Sequence, residues 1–182
     1  QLVLSSTALG LPGLSAVVGP EEEREAIGLL RGLYEVTSLV EDAAASAVRI
    51  AQVFGLDSSR FSPIHSDLYG YSGVLALFRS EALDRIEVIT PFDETRTMGR
   101  YFRRKGPRLY MAYAEADDLA PIRERLIAHA PRDWTGPRDE RHPDNLFVHP
   151  GALCGVMLGI SRTSHAWTWS GQPERVVPQE SA

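Results

Sequence analysis

Residues 33–43 read LYEVTSLVEDA, and residues 109–119 read LYMAYAEADDL. Each stretch has strand-type alternation followed by acidic residues, and each leads into a helical pattern. After the first comes AAASAVRIAQVFG (43–55), which Asp42 can cap and Gly55 can end in a left-handed conformation. After the second comes LAPIRERLIAHA (119–130), with Asp117 or Asp118 as cap and Pro121 in the first turn. The positions correspond one by one: Leu33 with Leu109, Tyr34 with Tyr110, Asp42 with Asp118, Arg49 with Arg125.

The segments after the two helices also correspond. In the first half, RFSPIHSDLYG (60–70) reads as a weak strand that Pro63 confines to an edge. GVLALFR (73–79) and DRIEVITP (84–91) are stronger strands, joined by the turn around SEALD. In the second half, the polar stretch PRDWTGPRDERHPD (131–144) holds a short or irregular strand, and NLFVHP and GVMLGIS close the unit. Between the halves, FDETRTMGRYFRRKG (92–106) reads as a connector helix with Asp93 or Thr95 as cap and Gly106 as stop. The expectation is therefore an α+β fold made of two tandem βαβββ modules, 33–92 and 107–162, joined by residues 93–106. One curved sheet of this kind cannot bury its concave face alone, so the two modules are expected to form a curved mixed sheet around one cavity.

Composition narrows the function classes. The chain has 182 residues, enough to bury roughly 70% of its unfolded surface. Its net charge of −5 gives no basic footprint for nucleic acid. A lone Cys154 excludes an internal disulfide and a cysteine zinc cluster, which fits a reducing, cytoplasmic setting. The apolar start, QLVLSSTALGLPGLSAVVGP, lacks a basic front and is broken by Gly and Pro. It reads as an irregular arm, and with the acidic helix pattern of GPEEEREAIGLLRG it makes up residues 1–32. No stretch of 18 apolar residues suggests a membrane span. The tail, 163–182, contains HAWTW (165–169), which as a strand places His165, Trp167 and Trp169 on one face, and ends in polar residues of disordered type.

The duplicated architecture resembles the vicinal oxygen chelate (glyoxalase/bleomycin-resistance) superfamily, nearest to its methylmalonyl-CoA epimerase-like members. The resemblance covers 33–160 and rests on the seven-residue step from Glu35 to Asp42 with the helix ending in VFGL. It rests also on the connector MGRYFRRKGP and the closing segment LFVHPGALCGVML. It implies a cavity with a divalent metal held from four strands. The corresponding positions are Glu35 (His in the epimerases), Glu87 (Gln or Glu), Met111 (His) and Gly159 (Glu). A thioether is a poor ligand for a hard cation and glycine offers none, so the usual metal set is mostly missing. If a divalent metal is present, Glu35 and Glu87 would hold it, with His65 as a further ligand in a rearranged set.

The expected function is an isomerase, epimerase or lyase that moves a proton next to a carbonyl of a small molecule or acyl thioester, without metal. Two buried carboxylates raise each other's pKa, so one serves as acid and the other as base. The candidate catalytic residues are Glu35, Glu87 and His65, and the candidate substrate contacts are Tyr34, Tyr110, Met111, Tyr113, His149 and Trp167. Each has a plain structural alternative: a core tyrosine, a strand-ending His149, a surface His65, a packed Trp167. The basic run Arg100, Arg103, Arg104 and Lys105 suits the phosphates of an acyl-CoA, or is a solvated helix face. The rival class is a non-catalytic protein that sequesters small molecules between aromatic walls, as a homodimer.

Overall fold

The computed structural model describes residues 28–179. Its elements run β1 (Gly32–Leu39), α1 (Ala43–Phe54), β2 (Ser62–Ser66), β3 (Tyr71–Leu77), β4 (Arg85–Pro91), α2 (Thr97–Lys105), β5 (Arg108–Ala116), α3 (Ala120–His129), β6 (Trp134–Thr135), β7 (Asn145–Val148) and β8 (Met157–Arg162). The strands form one mixed sheet in the order β2-β3-β4-β1-β5-β8-β7-β6. From the centre outward, each half has the same layout. β1 pairs with β4 in parallel, β5 pairs with β8 in parallel, and β1 and β5 join the halves antiparallel. The sheet is curved but open, with β2 and β6 at its edges. Pro63 lies on the edge strand, where its missing N–H breaks no ladder.

The helices α1 and α3 cover the convex face. Ala43 and Ala47 let α1 approach Val88, with Val74 and Ile86 beside it. In the second half Leu119 and Ile122 of the α3 region pack on Ala116, Trp134, Leu146, Val148 and Ile160. Asp42 caps α1 as the sequence suggested, whereas the cap position of α3 is Leu119, with Asp118 one residue ahead of it. The Asp42 carboxylate accepts from the Ala45 N–H at 2.9 Å, and Asp118 accepts from the Ala120 N–H at 2.8 Å. Asp117 instead pairs with Arg31 at 2.5 Å.

Three expectations are corrected. Neither Asp93 nor Thr95 caps α2. Asp93 binds the Thr95 N–H and hydroxyl in the preceding turn, and the helix begins after Arg96 with no side-chain cap. The basic residues Arg103, Arg104 and Lys105 sit in its last turn, where they complement the helix dipole. HAWTW is not a strand. Ser164 has φ +68°, which breaks the extended path after β8, and His165–Trp169 winds into a 3₁₀ turn. The residues beyond are ordered by contact: Arg175 lies over the Trp167 ring at 3.9 Å, in a second 3₁₀ turn, Pro173–Arg175. The helix expected near the N-terminus falls largely on residues 1–27, outside the described residues, and 28–31 are not helical. Among the described residues no helix is long and apolar enough to cross a membrane.

Candidate functional site

The repeated LY phrase has a structural reason. On β1, Leu33 faces Ala114 and Glu35 faces Tyr113, so Tyr34 is an extra residue in the ladder. On β5, Met111 faces Thr37 and Leu109 faces Ser38, so Tyr110 is the extra residue there. Each copy thus carries a β-bulge at its tyrosine. A bulge lets two successive side chains turn to one face where a regular strand allows one. Tyr34 reaches Ser161 of β8 at 3.1 Å, and Tyr110 donates to the Met157 sulfur at 3.2 Å.

The registers then define two rungs across the concave face. One runs Arg85–Glu35–Tyr113–Gly159, and the next runs Glu87–Thr37–Met111–Met157. In both, the first pair belongs to the first module and is polar, whereas the second belongs to the second module and is aromatic or thioether. The two-fold relation maps Glu35–Arg85 onto Met111–Met157, and Thr37–Glu87 onto Tyr113–Gly159. One copy has kept charge and the other has none.

The polar half is fully buried. Glu35, Glu87 and Arg85 are 3%, 4% and 2% exposed. The Arg85 Nε donates to Glu35 at 2.7 Å, and its Nη1 donates to the Ser170 hydroxyl at 2.5 Å. Ser170 in turn donates to the Ala166 carbonyl, and the Tyr34 ring lies 5.3 Å from the guanidinium. The Thr37 hydroxyl lies 2.6 Å from Glu87 and 3.2 Å from Glu35. A hydroxyl has one proton and cannot donate to two carboxylates at once. The arrangement is satisfied when Glu87 is a carboxylic acid donating to Thr37, and Thr37 donates to the Glu35 carboxylate that Arg85 neutralises. Electrostatics agree: burial first, then the Glu35 charge, push the Glu87 carboxyl up to about 8.

Glu87 and Thr37 form one wall of a cavity of about 250 Å³. Its other walls are Tyr69, Tyr71, Ile89, Thr97, Met98, Tyr110, Met111, Tyr113, Thr135, Phe147, His149 and Met157. Burial raises the phenols of Tyr71 and Tyr113 far above their ordinary range and pushes Tyr110 up to about 12, so all three are hydrogen-bond donors at neutral pH. The His149 Nε2 is 3.2 Å from the Thr135 hydroxyl. Met98, at the start of α2, closes one end against Leu39 and Ile89.

The candidates named from sequence separate into two groups. Glu87, Tyr110, Met111, Tyr113 and His149 line this cavity. Glu35 lies one rung away and is bound by Arg85. His65 does not reach the cavity: it is exposed on the edge strand, where it stacks on Phe92 and bonds Asp67. Tyr34 and Trp167 form a separate cluster with Leu83 and Ala166, because the tail is a 3₁₀ turn. Sequence reading missed Arg85, Thr37, Tyr71 and Met157. Three of them stand two residues from a position already named, on the same strand face.

The ligand set implied by the resemblance does not fit a hard divalent cation. Glu35 is taken by a guanidinium, Met111 is a thioether, and only Glu87 remains. Gly159 has no room for a ligand, since a Cβ there would stand 2.2 Å from the Tyr113 ring. Among the described residues no three His, Cys, Asp or Glu side chains converge to hold a metal. A consequence is measurable. Gly159→Ala should lower stability by about 1–3 kcal/mol through overpacking. Tyr113→Leu in the same chain should recover most of that loss in a urea titration.

No model of a known family matches the chain, and no curated protein matches it. Solved structures do. Methylmalonyl-CoA epimerase from Mycobacterium tuberculosis superposes with TM-score 0.58 at 18% identity, over 75% of this chain and 91% of that one. A methylmalonyl-CoA epimerase in complex with methylmalonyl-CoA and NH4+ gives TM-score 0.59 at 13% identity, over 76% and 97%. A variant of the Streptomyces coelicolor epimerase with 2-nitronate-propionyl-CoA gives the same values. At these identities the likeness is one of fold. Twin βαβββ halves joined through β1 and β5, with these neighbours, give the chain the fold of the vicinal oxygen chelate superfamily, in the form that methylmalonyl-CoA epimerases share.

Proposed function

We propose that the chain is an isomerase-type enzyme that moves a proton at the carbon next to a carbonyl, with Glu87 as its acid/base group and no metal step. The observation that supports this most is the Glu87 carboxyl itself: it lines the cavity, is desolvated, and is connected through Thr37 to the Glu35–Arg85 pair. As the carboxylate, Glu87 takes the proton from the carbon next to the carbonyl, which leaves an enolate. As the acid so formed, it gives a proton back to the enolate, at oxygen or at carbon. A pKa near the working pH serves both directions. The phenol of Tyr71 supplies a neutral donor for the oxygen on which charge develops. The resemblance to the epimerases supports this class of chemistry.

The test is deuterium incorporation. The protein is incubated in D2O with methylmalonyl-CoA, an aryl ketone and a cyclic ketone, and exchange at the carbon next to the carbonyl is monitored by NMR. Exchange faster than in buffer with at least one compound is the expected result. A compound that binds in the cavity, carries such a C–H and exchanges at the buffer rate would point to the second reading. That reading is sequestration of a small molecule, and the tyrosine and methionine walls favour it. Binding without turnover across the set is its signature.

A further inference from the structure

The two halves of the cavity differ in charge, and this limits what can occupy it. Among the described residues no lysine or arginine lines the cavity. Arg85 is one rung away and already bound by Glu35 and Ser170. His149, the one basic side chain at the wall, is engaged with Thr135. A ligand carboxylate would therefore lose its water and meet Glu87, with Glu35 behind it, and find no cation. A ligand ammonium would sit against Met111, Met157 and Phe147 on one side and meet Glu87 as an acid on the other, with the Glu35 charge already held by Arg85 outside the cavity wall. What the walls do offer is a hydrogen-bonding pair, Glu87 and Thr37, opposite a surface of sulfur and aromatic carbon. Thioethers and aromatic rings pack well on flat apolar rings. The volume, about 250 Å³, is at the small end for ligand sites and suits one or two fused rings.

We infer that the cavity takes an uncharged aryl or cyclic carbonyl compound, its oxygen toward Glu87 and Thr37 and its ring over Met111, Met157 and Phe147. This rests on the proposed function only in taking the cavity as the ligand site. An acyl group with a free carboxylate, as in malonyl-type acids, is excluded by the same geometry.

The chain has three methionines, and all three, Met98, Met111 and Met157, line the cavity. Methyl-labelled methionine therefore reports directly on occupancy. Three probes share one ring system: acetonaphthone, naphthoate and naphthylmethylammonium. Acetonaphthone should shift the methionine methyl signals and bind at least tenfold more tightly than either ion at pH 7. Phe147→Ala should weaken it several-fold. The inference is overturned if either ion binds as tightly as the ketone. It is overturned equally if the ketone leaves the methyl signals unmoved up to millimolar concentration, or if Phe147→Ala changes nothing. The two readings separate on the same sample. Ketone binding without deuterium exchange at its methyl group counts against proton transfer and leaves the ligand class standing. Exchange accompanied by preference for the anion does the reverse.

Discussion

Arg85→Met is expected to cost about 3–5 kcal/mol of stability, the range seen when one partner of a buried ion pair is removed. The guanidinium is at once the cation facing Glu35, a donor to Ser170 and a plate against Tyr34. Methionine keeps much of the bulk and removes every one of these. Glu35 is then a buried carboxylate with only the Thr37 hydroxyl for company. The decisive comparison is the double variant Glu35→Gln with Arg85→Met. Replacing both members of a buried pair with neutral groups is often close to neutral, so most of the loss should return. Urea titrations of the two single variants and the double variant at pH 8 close a double-mutant cycle. If the double variant were as unstable as Arg85→Met, the guanidinium would act by filling space and not by pairing with Glu35.

This ion pair also shows how far the sequence could be read. Tandem βαβββ modules emerge from periodicity, caps and the repeated phrase, all of which act over short range and survive into the structure. The face on which a side chain lands is a different matter. A strand's period of two assigns faces only while the ladder is regular. Arg85 and Glu87 obey it, and the alternation in RIEVITP already placed both on one side, where an inward arginine demands a buried partner. Tyr34 and Tyr110 break it, because each is the extra residue of a bulge that a sequence does not announce. The tail failed for a similar local reason. HAWTW alternates like a strand, but the left-handed Ser164 before it turns the chain. Pro63 had already placed β2 at an edge; what the sequence left open was the side to which His65 turns, and it turns to solvent beside Asp67 and Phe92. The exchange of charge for sulfur between the halves, Glu35–Arg85 against Met111–Met157, was visible residue by residue. Its meaning required the register that lays the pairs side by side.

Glu87→Gln is expected to slow proton exchange by a factor of about 10²–10⁴, the usual contribution of a positioned acid or base. Glutamine keeps the shape, and its amide can donate to the Thr37 hydroxyl as the protonated Glu87 does, so the fold should persist. The stability change has a sign of its own. The folded protein holds the Glu87 proton up to about pH 8, whereas in the unfolded chain it leaves near the ordinary glutamate value of 4.5. Between these pH values the folded state binds more protons than the unfolded one, so this group makes stability fall as pH rises. Its full contribution is present below about 4.5 and is lost as pH passes through 8. Each pKa unit corresponds to about 1.4 kcal/mol, which sets the scale at a few kcal/mol. The variant lacks this dependence. It should match the wild type near pH 4 and exceed it at pH 8.5 by an amount of that order. Thermal or urea unfolding across this range reads the difference, and deuterium exchange over the same range should rise through pH 8 in the wild type as the carboxylate forms. A variant that lost exchange without gaining alkaline stability would mean that Glu87 is already ionised in the folded protein. The proton shared along Glu87, Thr37 and Glu35 would then have to be given up. A variant that gained stability and kept exchange would leave the buried acid in place but move the catalytic step to another group on the cavity wall.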